Sequence, residues 1–91
     1  MEQSKQLFEM GMLYITPGVQ KIMCSEVMDA LEMHARGDWG EVGPEDWEAN
    51  ERALGYGGRI LSAYFTAHGV KFWVITEADR STTTILLPEE Y

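Results

Sequence analysis

The spacing of apolar residues changes at Gly57 and Gly58, and no other feature of the chain constrains its fold as much. Ahead of these glycines apolar residues recur at three- and four-residue steps, the spacing of an amphipathic helix. Behind them the segment from Arg59 to Tyr91 is rich in β-branched and aromatic residues, which suit a pleated surface. Helices followed by strands predict an α+β fold rather than alternating units around a parallel sheet. With 91 residues the chain buries roughly 60 to 65% of its unfolded surface, enough for one core and not for two.

Residues 1–10 read as a flexible or strand-like N-terminal segment and residues 11–91 as a single α+β domain. Met12, Leu13, Tyr14 and Ile15 form a short apolar run suited to a strand or an entry segment. Thr16 is a good helix cap and Pro17 is preorganised for the first helical position, so a short helix is expected from about Pro17 to Met23. Ser25 caps the next, which runs from Glu26 to Arg36 with Val27, Ala30, Leu31 and either Met33 or His34 facing inward. Gly37 suits the left-handed turn that ends it. Pro44, Glu45 and Asp46 open a third helix, with Trp47, Asn50 or Glu51, and Leu54 on one face and Glu48 paired to Arg52.

In the C-terminal segment, a two-residue turn at His68 and Gly69 pairs Phe65 with Phe72, Ala63 with Val74 and Leu61 with Thr76. Tyr64 opposite Trp73 and Ser62 opposite Ile75 then take the other face. A four-residue loop from Ala78 to Ser81 places Ile85 opposite Val74 and Leu87 opposite Phe72. The expectation is therefore N-terminal short helices packed on one face of a C-terminal three-stranded antiparallel β-meander, with Pro88 at the end of an edge strand. The opposite face, with Tyr64, Trp73, Ile75 and Leu86, is too apolar for a solvated sheet. Either Phe8, Met10, Met12 and Leu13 fold across it, or Tyr64, Trp73 and Ile75 form a second interface, to a partner or to a second copy.

The net charge of -8 resides in one segment. Glu26, Asp29, Glu32, Asp38, Glu41, Glu45, Asp46, Glu48 and Glu51 face a single base, Arg36, and the remainder of the chain is balanced. Such a balance disfavours direct nucleic-acid binding, which needs basic groups to displace phosphate counterions. A contiguous acidic segment instead steers a basic partner, and these nine residues are the candidate partner-binding set. No apolar run approaches the roughly 20 residues of a membrane span. The first ten residues contain no apolar stretch of signal-peptide length, and Cys24 is the only cysteine, so a cytoplasmic location is expected.

Chemistry-bearing groups are sparse. His34 and Asp38 stand four apart with Cys24 and Glu41 nearby, but zinc sites use paired ligands such as C-x2-C or H-x3-H, and two histidines and one cysteine do not supply them. Gly37, Gly40 and Gly43 lie among carboxylates that repel phosphate, so no nucleotide, metal or other cofactor is expected. Trp39 reads as a core anchor pinning its loop.

The segments HARGDWGEVGPEDWEANERAL and KFWVITEADRSTTTILLPEEY resemble a group of small bacterial proteins carried on plasmids, phages and integrative elements, the plasmid-related proteins. The resemblance runs from about Ile15 to Tyr91 and includes RGDWG, GGRILSAY and LLPEEY. It brings no catalytic residues. It implies a genetic setting in which accessory genes serve as antirestriction, anti-CRISPR or toxin-antitoxin components. The leading expectation is a non-enzymatic acidic inhibitor or adaptor that occupies a basic, nucleic-acid-binding surface of a host defence complex, such as a CRISPR or restriction subunit. The alternatives are a regulatory partner-binding module that forms a homodimer through the Tyr64 and Trp73 face, and, more distantly, a small hydrolase using His34.

Overall fold

The computed structural model describes residues 6–91 and is α+β, with a four-stranded mixed sheet in the order β1-β4-β3-β2. In chain order the elements are β1 (Met12–Ile15), α1 (Pro17–Lys21), α2 (Ser25–Ala35), α3 (Pro44–Tyr56), β2 (Ile60–Phe65), β3 (Lys71–Thr76) and β4 (Thr82–Leu86), followed by a 3-10 turn, Pro88–Glu90. The expected three-stranded meander is thus incomplete. The apolar run Met12–Ile15 adds a fourth strand, parallel to β4, with Leu13 beside Thr83 and Ile15 beside Ile85. Helices are not simply N-terminal to the sheet, since β1 precedes them and the 3-10 turn follows β4. Because β4 lies between β1 and β3, Pro88 does not protect an edge; it opens the 3-10 turn.

The second hairpin has the register expected from its apolar residues, with Val74 opposite Ile85 and Trp73 opposite Leu86. The first does not. Thr66 N–H donates to Val70 O at 3.0 Å, so Ala67, His68 and Gly69 form a three-residue loop, with Gly69 at φ 82° in the left-handed position such loops require. One extra loop residue shifts β2 by one and exchanges its two faces. Tyr64 now lies opposite Phe72, and Ser62 opposite Val74, on the helix side; Leu61, Ala63 and Phe65 turn away from it. The core under α1 and α2 is Val19, Val27, Ala30, Tyr64, Phe72, Val74 and Ile85. Tyr64 and Phe72 rings lie 5.8 Å apart, whereas Phe65 is 51% exposed.

A second cluster, Trp39, Ala53 and Ile60 with Phe8, Val42 and Leu54 against it, sits at the other end of the same face. Phe8 therefore does not cross the Trp73 face: its ring packs 5.3 Å from His34 and 6.2 Å from Trp39. The Trp73 side is approached from the C-terminus, where the Tyr91 ring lies 5.8 Å from Trp73 and carries the Arg59 guanidinium at 5.5 Å. Residues 1–5, part of the segment expected to be flexible or strand-like, lie outside the described residues.

The β2 edge of the sheet is closed by side chain and loop. Asn50 of α3 accepts from Leu61 N–H at 3.1 Å and donates to Leu61 O at 2.8 Å. Ala63 N–H donates to Trp39 O at 3.1 Å, and Glu41 N–H donates to Ala63 O at 2.7 Å. These bonds satisfy the outward backbone groups of Leu61 and Ala63 on an edge that would otherwise invite a further strand. They also fix the loop after α2 against the sheet.

Candidate functional site

Helix α2 ends as its glycine suggested, with Gly37 N–H donating to His34 O and Asp38 N–H donating to Met33 O. This turn sends Asp38 back along the helix. Gly40 then bridges to Ala63, and a Cβ at Gly40, which has φ 75°, would collide with Ala63 O and the Tyr64 ring. The Tyr64 hydroxyl donates to Asp38 O at 2.6 Å and fastens the loop from below. Burial raises the Tyr64 phenol above its ordinary range, so it holds its proton for this bond at any physiological pH.

The consequence is a groove of about 540 Å³ between α2 and this loop. Glu26 and Asp29 line it from the helix, Asp38 and Glu41 from the loop, and Ala30, Met33, Tyr64 and Phe65 form its apolar part. Four of the nine acidic residues singled out in the sequence thus meet around one concavity. Glu26 is half-buried and tied down, its Oε1 accepting from Ala67 N–H at 3.1 Å; Asp29, Asp38 and Glu41 are exposed. Anionic groups around a partly aromatic floor suit a guanidinium or ammonium group, which gains both charge pairing and a ring face. Among the described residues, no three His, Cys, Asp or Glu side chains are grouped so as to hold a metal ion.

The other five acids are placed differently. Glu32 lies 4.0 Å from Arg36, and Glu48 lies 3.7 Å from Arg52 in the expected i, i+4 pair; all four side chains are solvent-exposed. Glu45 and Asp46 occupy the first turn of α3, where they complement the helix dipole. Glu51 is used within the fold, its Oε2 accepting from the Trp39 indole N–H at 2.9 Å. That bond lets Trp39 be wholly buried, as its reading as an anchor required.

The second interface read from the sequence, Tyr64 with Trp73 and Ile75, is not assembled. Tyr64 is buried on the helix side, Trp73 and Ile75 face away from it, and Ile75 is only 3% exposed. The register shift in β2 is the cause.

His34 is fully buried with both ring nitrogens engaged, Nδ1 with Ser62 Oγ at 2.5 Å and Nε2 with Thr76 Oγ1 at 2.9 Å. Thr76 Oγ1 continues to Thr83 Oγ1 at 2.7 Å, and Thr83 donates to Met10 O at 2.6 Å. Desolvation pulls the histidine down to about 3, so it is neutral at physiological pH. It ties α2 to the sheet and presents no nitrogen to solvent, unlike the acid/base group the hydrolase alternative requires. Sequence reasoning set Asn50 or Glu51 on the shared face of α3 and Thr76 on the expected core face, but it gave no role to Asn50, Ser62, Thr76 or Thr83; the available signal was polar residues at inward positions of strands and of α3.

No helix among the described residues is long and apolar enough to cross a membrane. Comparison of the chain with family models, curated proteins and solved structures finds no match.

Proposed function

We propose that this chain is a non-enzymatic acidic adaptor or inhibitor whose groove between α2 and residues 38–41 occupies a basic, nucleic-acid-binding surface of a partner protein. The observation that carries this reading is the convergence of Glu26, Asp29, Asp38 and Glu41 on one partly apolar groove. Carboxylates spaced along a groove stand in for the phosphates of a nucleic acid, and arginine forks on the partner pair with them geometrically. The acids outside the groove extend the field and speed encounter with a positively charged surface. In the mobile-element setting that the sequence resemblance implies, the partner is a CRISPR or restriction subunit of the host.

Purifying the tagged chain from its native bacterial host and adding it to the subunit that accompanies it tests the proposal. The expected result is displacement of bound nucleic acid at stoichiometric amounts. A companion that retains its nucleic acid at saturation would refute the inhibitor reading.

A further inference from the structure

The two edges of the sheet are treated in opposite ways. The β2 edge is capped by Asn50 and by the Trp39 to Glu41 loop. The β1 edge is only four residues long but carries no charged residue and no proline, two of the usual devices against strand addition. Met12 N–H and Thr16 N–H point inward, donating to Ser81 O at 2.9 Å and Ile85 O at 3.1 Å. Strand alternation therefore turns the N–H and C=O of Leu13 and Ile15 outward, and no described strand lies beyond them.

Beside this edge runs a second groove, of about 370 Å³, on the other flank of α2. Met10, Leu13, Met28 and Leu31 give it an apolar lining, and Asp29 and Glu32 stand at the helix. Met28 is 46% exposed and Leu13 39%. An added strand would place alternate side chains over this groove, so an apolar residue and a basic residue two positions away would meet Leu13 and Asp29 on the same face.

We propose that the β1 edge accepts an extended, basic segment of a partner protein as a fifth strand. Charge selects this occupant over a second copy of the chain. Pairing β1 with β1 across a two-fold axis would bring Asp29 and Glu32 of both copies towards one another, each copy with a net charge of -8. A segment with lysine or arginine flanking an apolar residue answers both features of the groove. The site shares Asp29 with the acidic groove on the opposite flank of α2 but does not use Asp38 or Glu41, so substitutions at those two residues tell the two sites apart.

The test uses the full chain and a capped peptide reading Lys-Thr-Val-Thr-Lys, followed by amide NMR. Binding should shift the Leu13 and Ile15 amides and slow their exchange with solvent. A peptide N-methylated at alternate residues, which keeps the side chains and removes the ladder donors, should bind at least about tenfold more weakly, the loss expected when backbone bonds carry the affinity. Replacing both lysines of the peptide by glutamate should have an effect at least as large. The proposal is overturned if the N-methylated or glutamate peptide binds as well as the parent. It is overturned equally if no peptide binds, or if Leu13 and Ile15 become protected with rising concentration of the chain alone.

Discussion

The proton between His34 Nε2 and Thr76 Oγ1 belongs to the histidine. Met10 O can only accept, so Thr83 spends its hydroxyl proton there. Thr83 Oγ1 must then accept from Thr76, which leaves Thr76 Oγ1 to accept from His34 Nε2–H. Nδ1 is consequently an acceptor and takes the Ser62 hydroxyl proton. A single backbone carbonyl two residues before β1 thereby sets the tautomer of a histidine on α2, through side chains of β4 and β3.

This chain of bonds makes stability depend on pH with a definite sign. The unfolded histidine takes up a proton near its ordinary 6.5, whereas the folded one resists protonation down to about 3. The contribution is complete above about pH 6.5 and is lost progressively as pH drops towards 3. Urea unfolding at a series of pH values should show a steeper loss of stability with falling pH in the wild type than in His34→Gln. An equal slope in both would assign the acid sensitivity to other groups.

The register of β2 is checked by two neighbouring aromatics. Tyr64→Ala should cost about 3–5 kcal/mol as a large-to-small core truncation, and Phe65→Ala less than about 1 kcal/mol because the ring is half in water. Thermal melting of the two variants gives the comparison; the reverse order would restore the two-residue turn.

His68 and Gly69 are compatible with either loop length, because both place a glycine where positive φ is allowed, and apolar patterning does not decide between them when β2 reads ILSAYF. The second hairpin was legible since only one loop length sets Val74 against Ile85 and Phe72 against Leu87. Parallel pairing of β1 with β4 joins distant segments, and a four-residue apolar run carries no sign of its partner. Local turn chemistry revealed the helices, with Pro17 and Pro44 opening α1 and α3. The acidic segment was evident from charge alone; its division into four groove residues and five others depends on where the loop after α2 folds, and hence on the β2 register.

Asn50→Ala should expose the β2 edge by removing both bonds to Leu61, at a cost of about 1–3 kcal/mol. Hydrogen exchange at the Leu61 amide should accelerate more than at the neighbouring β3 amides. Unchanged Leu61 protection would mean that Asn50 is not what closes this edge.

Glu90 ties the C-terminal turn to α1, accepting from Thr16 Oγ1 at 2.6 Å, Leu87 N–H at 2.8 Å and Gly18 N–H at 2.9 Å. The Thr16 hydroxyl and then the Leu87 amide hold its carboxyl below the ordinary range, so the clasp is present above about pH 4.5 and is lost as pH falls further. In Glu90→Gln, protection of the Gly18 amide at neutral pH, relative to its intrinsic exchange rate at that pH, should fall to the protection that the wild type shows in acid; wild-type protection at both pH values would contradict the clasp.

The acidic groove is tested most directly by calorimetric titration of the copurifying basic subunit with the wild type and with the double variant Asp38→Asn, Glu41→Gln, at two salt concentrations. Both substitutions remove charge while keeping side-chain shape, and the groove reading predicts at least about a tenfold loss of affinity with a shallower dependence on salt. Affinity and salt dependence equal to the wild type's would contradict it.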